Sequence, residues 1–117
     1  SYIGTRTEYA ESLLTDPTFI ALAAYDREEM VGAIVAYEIR KFEQQRSEIY
    51  LYDLGVVQSH RRQGVATLLI EHLRSVARDM GAATIFVQAD DGDDAAIALY
   101  AKLASERIVA HHFDISV

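Results

Sequence analysis

The sequence predicts a mixed α/β fold, in which a central sheet holds antiparallel and parallel strands and carries helices against it. Two observations predict this class. Residues 51–88 follow the order strand, charged loop, helix, strand, as in a parallel strand–helix–strand unit. Before residue 41, two strand patterns are joined by a short polar turn, which is typical of an antiparallel hairpin. With 117 residues, 50% apolar content and no break in composition, we expect one domain over residues 1–117.

The first predicted element is a short helix. Thr5 or Thr7 can cap its N-terminus, and its pattern continues through Leu14. Asp16 and Pro17 should end it, because the residue before a proline avoids the helical conformation.

Three strand patterns come next. Residues 19–25 and 30–40 are rich in apolar, aromatic and β-branched side chains, and the polar residues 26–29 form the turn between them. Residues 48–57 form the third strand. We therefore expect antiparallel strands at the start of the sheet.

The loop after the third strand is the most informative feature of the chain. It reads Arg61-Arg62-Gln63-Gly64-Val65-Ala66 and leads into a helix that we predict to begin near Gln63. Unpaired N–H groups and the positive end of the helix dipole attract anions, and Gly64 lets the backbone come close to a bulky ligand. Because the chain carries a net charge of −7, two adjacent arginines suggest a local purpose. The loop predicts a pyrophosphate site; a solvated loop with a helix cap is the alternative.

The elements after the loop complete the parallel unit. Gly81 is placed to end the helix as a left-handed cap. The continuous run 84–88 predicts an interior strand parallel to its predecessor. Apolar residues at spacings of three and four give the helix one buried stripe: Val65, Leu68, Leu69, His72, Leu73, Val76, Ala77 and Met80.

Two motifs resemble a known family. Arg61-x-x-Gly64-x-Ala66 resembles the acetyl-CoA signature of the GNAT N-acetyltransferases, and Ala98-Leu99-Tyr100-Ala101-Lys102-Leu103 resembles their second conserved segment, in the same order and at the same spacing of elements. Within the family, residues 41–44, 46–50, 60–64, 87–90 and 112–115 are similar to the aminoglycoside 3-N-acetyltransferases. The resemblance implies the GNAT acyl-CoA fold. Compared with the family pattern, the chain starts after the usual first strand and helix, and Ala104-Ser105 replace the usual glycine and aromatic.

The resemblance also implies that acetyl-CoA is the cosubstrate. Its pantetheine arm would enter a gap between the strands on either side of the helix and bind backbone groups of Leu54, Val56 and Val57. The side chains of Arg61 and Arg62 would add positive charge. The pyrophosphate would rest on the backbone amides of Arg62, Gln63, Gly64, Val65 and Ala66.

Two residues are candidates for the chemistry. Tyr100 matches the family tyrosine that donates a proton to the departing thiolate or positions it; packing in the core is the alternative for this residue. Asp53 is the predicted general base, because it lies on the strand leading to the anion loop, at the expected depth of the thioester. Tyr52 and Glu48 are the other candidates for the base. A solvent-facing or arginine-paired carboxylate is the structural alternative for Asp53.

The acceptor is predicted to be a cationic amine. The run Asp90-Asp91-Gly92-Asp93-Asp94 would form a negative rim at the cofactor gap, although Asp93 or Asp94 also suits a helix cap. Glu48, Tyr52 and Asp53 complete the expected substrate-binding set. The resemblance implies the 3-amino group of an aminoglycoside. A polyamine or protein N-acetyltransferase, and a non-catalytic acetyl-CoA-binding module, remain alternatives.

Composition excludes several other functions. The chain has no cysteine, which rules out disulfides, thiolate metal sites and a cysteine nucleophile, so we expect direct transfer without an acyl-enzyme. No basic stripe suits nucleic acid, and no apolar run suits a membrane span. His111 and His112 are neighbours on a predicted terminal strand, so they face opposite sides and cannot share a metal ion. We expect a cytoplasmic protein without a metal, and a possible homodimer in which a partner completes the sheet.

Overall fold

The structure, a computed structural model, describes residues 7–117, which form a four-stranded mixed sheet and three α-helices. The strand order is β1-β2-β3-β4; the first two pairings are antiparallel and the third is parallel. The mixed α/β class is therefore confirmed. The elements are α1 (Thr7–Thr15), β1 (Phe19–Asp26), β2 (Glu29–Arg40), β3 (Ser47–Val56), a 3₁₀ turn (Gln58–His60), α2 (Val65–Asp79), β4 (Ile85–Val87) and α3 (Asp94–Leu103).

Helix α1 agrees with the prediction for residues up to Leu14 and extends one residue further, to Thr15. The proposed cap at Thr5 lies outside the described residues. After the helix, Asp16 Oδ1 accepts hydrogen bonds from the N–H (2.9 Å) and the hydroxyl (2.8 Å) of Thr18, so a side-chain turn leads directly into β1.

Helix α2 packs across one face of the sheet and forms the core with it. Of the stripe predicted from periodicity, Leu69, Leu73 and Ala77 are buried, but Leu68 and His72 are exposed. The fourth buried residue of α2 is Ile70, which the predicted stripe did not include. Gly32 lets the first turn of α2 approach β2 closely, since an added Cβ would lie 3.0 Å from Val65 Cγ1 and 3.2 Å from the Gly55 carbonyl oxygen. The central buried residues are Ile34, Ala36, Ile49, Leu51, Leu69, Ile70, Leu73 and Ala77.

A bulge in β3 changes which side chains share a face. The register pairs Ala36 with Leu51 and Val35 with Asp53, so Tyr52 is an extra residue without a cross-strand partner. Before the bulge, Leu51 faces the α2 core; after it, Leu54 does. Tyr52 and Asp53 consequently lie together on the face of the sheet opposite α2.

Both ends of α2 carry a left-handed glycine. Gly81 follows the helix with φ 76°, as predicted for a left-handed cap. Gly64 is the N-cap with φ 84°, and this turn delays the start of the helix to Val65, two residues after the predicted Gln63. The helix start was therefore placed too early, because the apolar spacing does not reveal a left-handed N-cap.

The prediction of a terminal strand at His111 and His112 is wrong. Residues 104–117 contain no helix or strand, although contacts between side chains two apart, such as His112 Nε2 to Asp114 Oδ1 at 2.9 Å, indicate an extended chain. Within the described part of the chain, β4 pairs with β3 alone, so it is an edge strand and not the predicted interior one. A strand needs a neighbouring strand, and the apolar pattern of 104–117 could not supply that information.

The described residues contain no helix that is both long enough and apolar enough to cross a membrane.

Candidate active site

The candidate site is the groove that opens where β3 and β4 separate. The two strands pair at only three positions, the last being Leu51 with Val87, whereas β3 continues to Val56. Beyond this point α3 takes the place of β4, and a cavity of about 620 Å³ lies between them. Its walls are Met30, Val31, Gly32, Ala33, Leu54, Gly55, Val56, Val57, Arg61, Asp93, Ala95, Ala96, Leu99 and Tyr100. The structure thus brings the predicted strand residues and Tyr100 to one groove.

The backbone of β3 presents an open side to this groove. The Val57 N–H donates to the Val31 carbonyl at 2.8 Å, and hydrogen bonds alternate in direction along an antiparallel pair. The backbone groups of Leu54 and Val56 consequently point away from β2, towards the side that β4 has left. Both polar backbone groups of Val57 are used inside the protein, because its carbonyl accepts the N–H of His60 at 3.0 Å. Val57 therefore contributes its half-exposed side chain to the groove.

The N-terminus of α2 offers backbone donors without a side-chain cap. The first bond of the helical ladder runs from the Leu68 N–H to the Gly64 carbonyl at 2.9 Å. The N–H groups of Val65, Ala66 and Thr67 precede it, and Gly64 has no side chain to satisfy them. No acidic residue lies in the first turn. This end of α2 combines unpaired donors with the positive end of the helix dipole, which is the chemistry of a phosphate site.

The loop before α2 is held by its own side chains. Arg61 Nε donates to the Val56 carbonyl at 3.0 Å, which keeps the guanidinium at the edge of the groove. Gln63 Nε2 donates to the Ser59 carbonyl at 3.1 Å. Arg62 has φ 62°, a left-handed conformation that is uncommon for a residue other than glycine. Backbone strain beside an anion site is consistent with a loop shaped for a ligand.

A histidine connects the same loop to the β1–β2 turn. His60 Nε2 lies 2.8 Å from Asp26 Oδ2, and its Nδ1 lies 2.9 Å from Ser59 Oγ. The sequence did not indicate this partner, since Asp26 is 34 residues away from His60. Only a strand register that brings the turn beside the loop could have indicated the pair.

Tyr100 is half-buried in the groove wall. Burial raises the pKa of its hydroxyl above the ordinary value near 10, and the negative charges of Asp93 and Asp53 raise the pKa further. The phenol therefore remains protonated at neutral pH. A neutral hydroxyl in a groove can donate a hydrogen bond to a ligand. The two carboxylates that raise its pKa belong to the polar part of the site.

Asp53 lies directly after the bulge in β3, next to Leu54 of the groove wall. Its Oδ1 accepts the Leu54 N–H at 3.0 Å, which fixes the carboxylate beside the diverging strand. The effect of Asp53 on the pKa of Tyr100 shows that the two side chains are within electrostatic reach of each other. The structure therefore places Tyr100 in the groove wall and Asp53 beside Leu54, another residue of that wall.

Glu48 is held by cations. Arg46 Nη2 lies 2.7 Å from Glu48 Oε2, and Lys41 Nζ lies 4.0 Å from Oε1. Only 19% of the Glu48 side chain is exposed. These pairs neutralise the charge, so Glu48 is poorly suited to attract an acceptor or to act as a base. Tyr52, in contrast, is 62% exposed.

The acidic run is divided by structure. Asp93 is the N-cap of α3, with its carboxylate accepting the Ala96 N–H at 3.3 Å, and it also lines the groove. Asp94 is the first residue of α3, where a negative charge suits the helix dipole. Asp90 and Asp91 are exposed in the preceding turn. The prediction that Asp93 or Asp94 caps the helix is confirmed for Asp93.

Among residues 7–117, no group of three or more histidine, cysteine, aspartate or glutamate side chains is arranged to hold a metal ion.

Comparison with protein families gives one match that covers most of the chain. The family model described as "Acetyltransferase (GNAT) family" matches residues 2–104. This span contains the groove, the loop before α2 and all of α3.

Curated relatives are N-acetyltransferases of animals. The chain is 32% identical over 88 residues to a "Probable N-acetyltransferase san" of Drosophila melanogaster, which covers 74% of this chain and 47% of that protein. It is 27% identical over 93 residues to "N-acetyltransferase 8B" of Rattus norvegicus, which covers 80% of this chain and 42% of that protein. The chain spans less than half the length of these relatives.

Solved structures share the fold over nearly the whole chain. An aminoglycoside acetyltransferase from an uncultured soil metagenomic sample is 52% identical, with a TM-score of 0.90, covering 97% of this chain and 75% of that one. A second aminoglycoside acetyltransferase from such a sample, in complex with trehalose, is 26% identical with a TM-score of 0.85, covering 98% of this chain and 78% of that one. The same enzyme in complex with sisomicin matches at 25% identity, with the same TM-score and coverage.

Proposed function

Because the chain belongs to the GNAT acetyltransferase family, we propose that it transfers an acetyl group from acetyl-CoA to a primary amine of a polycationic small molecule, most specifically the 3-amino group of an aminoglycoside. The observation that carries this proposal is the groove between β3 and α3, which lies beside the uncapped N-terminus of α2 and holds Tyr100 in its wall. The similarity to aminoglycoside acetyltransferases at 52% identity supports the acceptor class.

The donors on this chain fit the parts of acetyl-CoA. The loop amides of residues 62–66, with the side chains of Arg61 and Arg62, would hold the pyrophosphate. The Leu54 carbonyl and the Val56 N–H would bind the pantetheine arm by hydrogen bonds on the side that faces away from β2, because the Leu54 N–H already donates to Asp53 and the Val56 carbonyl already accepts from Arg61. Val57 would contact the arm through its side chain. When bound, acetyl-CoA supplies an acetyl thioester with a stable leaving group.

Asp53 would act as the base. Its carboxylate accepts a proton from the acceptor ammonium, directly or through a water molecule, and leaves an amine lone pair aimed at the thioester carbon. The new C–N bond forms as the C–S bond breaks, and the electron pair of the C–S bond stays on sulfur. The nitrogen then loses its second proton to the thiolate or to solvent, which gives the neutral amide. With no cysteine in the chain, we propose direct transfer without an acyl-enzyme.

Tyr100 would stabilise the leaving sulfur. A thiol has a pKa of about 8.5 and a phenol of about 10, so complete proton transfer from Tyr100 to the thiolate is uphill by at least about 2 kcal/mol. The raised pKa of Tyr100 increases that difference. We therefore assign Tyr100 to hydrogen-bond donation to the developing thiolate, with the final proton coming from solvent or from the proton that Asp53 took up.

The negative side chains would attract the acceptor. Asp93 lines the groove, and Asp53 lies next to Leu54 of the groove wall. The exposed pair Asp90 and Asp91 precedes Asp93, in a chain of net charge −7. Such a field favours a polycation over a neutral amine. Asp94, at the start of α3, adds to this field.

Three further properties belong to the proposal. Acetyl-CoA is an intracellular metabolite, so we place the reaction in the cytoplasm. Acetylation would remove a positive charge from an aminoglycoside, so the activity would confer antibiotic resistance. We also propose a homodimer, because the extended segment 104–117 leaves large apolar side chains exposed, among them Ile108, Phe113 and Ile115.

Release of free CoA from acetyl-CoA tests the proposal. The purified chain is incubated with acetyl-CoA and one of three acceptors: an aminoglycoside, spermidine or a peptide with a free N-terminus. We expect aminoglycoside-dependent release, with NMR of the product locating the acetyl group on the 3-amino nitrogen. Release of CoA with only spermidine, or with only the peptide, would show that the acceptor belongs to another class of amine. Binding of acetyl-CoA without release for any acceptor would make the chain a binding module and overturn the proposal.

A further inference from the structure

An aromatic row crosses the face of the sheet opposite α2. The strand register aligns Phe19 with Tyr37, Tyr37 with Tyr50, and Tyr50 with Phe86, so each of the four strands contributes one ring to the row. Neighbouring ring centroids are 5.4 Å apart for the first pair and 4.7 Å apart for the last, whose planes differ by only 4°. Tyr52 links these two pairs of rings, and Phe19, at one end of the row, is buried.

Tyr52 stands on this row and is the ring that reaches solvent. Its centroid lies 5.6 Å from Tyr37 and 5.9 Å from Tyr50, with interplanar angles of 82° and 88°. Two perpendicular contacts hold the side chain in one orientation, although 62% of it is exposed. The bulge of β3 is the reason that it projects here, because Tyr52 is the residue without a cross-strand partner. An exposed ring that is already ordered can bind a ligand with little further loss of entropy.

Polar and acidic groups border the row. Asp53 follows Tyr52 directly, lies on the same face and acts on Tyr100 in the groove. On the β4 side, the Tyr50 hydroxyl donates to Gln88 Oε1 at 2.7 Å, and Asp90 is two residues further along the chain. A ligand on the Tyr52 ring would thus have the hydrogen-bonded Tyr50–Gln88 pair on one side. Adjacent residues of a strand are roughly 3.3 Å apart along it, so such a ligand would also lie next to the proposed base.

We propose that this aromatic row, with Tyr52 as its exposed ring, is a binding platform for the sugar ring of an aminosugar acceptor. The proposal rests on the proposed function and adds the group that selects the acceptor. The apolar C–H face of a saccharide packs on an aromatic ring, and ammonium groups on the same saccharide are attracted to ring faces and to Asp53. A linear polyamine offers the charges but no ring face. The platform therefore distinguishes cyclic aminosugars from linear amines.

Steady-state kinetics with two acceptors tests the platform. Gentamicin carries sugar rings and spermidine does not, and both are cationic. Tyr52→Leu should raise the KM for gentamicin at least tenfold and the KM for spermidine less than threefold, with the effect on KM exceeding that on kcat. In Tyr52→Phe, which keeps the aromatic ring, the KM for gentamicin should stay close to that of the parent. Tyr25→Leu is the matched control, since Tyr25 is 63% exposed on β1 and remote from the row.

Several results would overturn the platform. One is an unchanged KM for gentamicin in Tyr52→Leu; another is an equal rise for both acceptors, which would indicate a general amine site. If Tyr52→Leu lowers the melting temperature more than Tyr25→Leu does, without a selective change in KM, the row serves only to pack the sheet. If the parent chain turns over neither acceptor, the proposed function fails separately. Calorimetric binding of gentamicin then decides: weaker binding by Tyr52→Leu than by the parent supports the platform, and equal or absent binding overturns it.

Discussion

The ring and the hydroxyl of Tyr100 have different surroundings. The ring contacts the core beside α2, and the hydroxyl faces a groove with two carboxylates in reach. Since burial and the charges of Asp93 and Asp53 raise its pKa, the hydroxyl remains protonated throughout the neutral range. In the proposed reaction, the hydroxyl would therefore act at pH 7 as a hydrogen-bond donor.

Tyr100→Phe keeps the ring and removes the donor. We expect kcat to fall by about tenfold to a thousandfold while the KM values for acetyl-CoA and acceptor change little, because the hydrogen bond would act on the departing thiolate. In the parent, any alkaline loss of kcat due to Tyr100 should occur above pH 10, since the protonated form is the active one and its pKa is raised. Tyr25→Phe is the control, and an unchanged kcat in Tyr100→Phe would leave Tyr100 a core residue.

Asp53→Asn keeps the shape and removes the charge. The amide oxygen can still accept the Leu54 N–H, so the local backbone should be preserved. If Asp53 is the base, kcat/KM should fall most near neutral pH, where the acceptor is an ammonium, and partly recover as the pH rises and solvent takes the proton. The pH profile of kcat/KM checks this. A loss of equal size at every pH would instead assign Asp53 to binding or structure.

At the scale of elements, we expect the N-terminus of α2 to control the affinity for acetyl-CoA. Gly64 and Gly81 flank the same helix, both have positive φ, and an added Cβ meets no atom within 4 Å at either position. The two glycines are therefore a matched pair: a substitution costs backbone strain at both sites, but only Gly64 lies at the proposed pyrophosphate.

Gly64→Asp should abolish calorimetric binding of acetyl-CoA, because it places a negative charge beside the loop amides. Gly81→Asp should lower the melting temperature at least as much, since it puts that charge at the C-terminus of the helix, and yet retain binding. Equal affinities of the two variants for acetyl-CoA would show that the pyrophosphate does not bind at this loop.

The sequence predicted elements where a local pattern determines them. The strands before α2 were placed to within one residue, and the predicted stripe of α2 contains three of its four buried residues, since burial imposes their periodicity. The bulge at Tyr52 was not predictable, because its cause is a pairing of β3 with β2 and not a local signal. The partner of His60 and the cations paired with Glu48 were likewise not predictable from local signals. Single residues of the site could be nominated from motifs, while their grouping on one face required the register.

At the scale of the whole molecule, the negative charge of the chain bears on how the acceptor is attracted. The chain has a net charge of −7, and Asp90 and Asp91 are exposed in the turn before α3. Unlike Asp93, which is held as a helix cap, these two carboxylates can be neutralised without removing the cap. They are suitable positions for testing long-range attraction.

The double variant Asp90→Asn with Asp91→Asn should raise the acceptor KM severalfold and weaken its dependence on salt, with the KM for acetyl-CoA little changed. Measurements at low and high ionic strength check the expectation, because attraction between exposed charges is screened by salt. The pair Glu28→Gln with Glu29→Gln removes the same charge from the β1–β2 turn as a control. If both pairs change KM alike, only the total charge of the protein counts.

The extended segment 104–117 has a consequence for limited proteolysis. Proteases bind their substrates as extended chains, and this segment already has that shape, with Arg107 exposed near its start. Trypsin should therefore cut an isolated chain first after Arg107 and release the last ten residues, while arginines within α2 and the sheet resist cleavage. A dimer in which the partner covers this segment would be cut slowly, and its cleavage rate would rise on dilution.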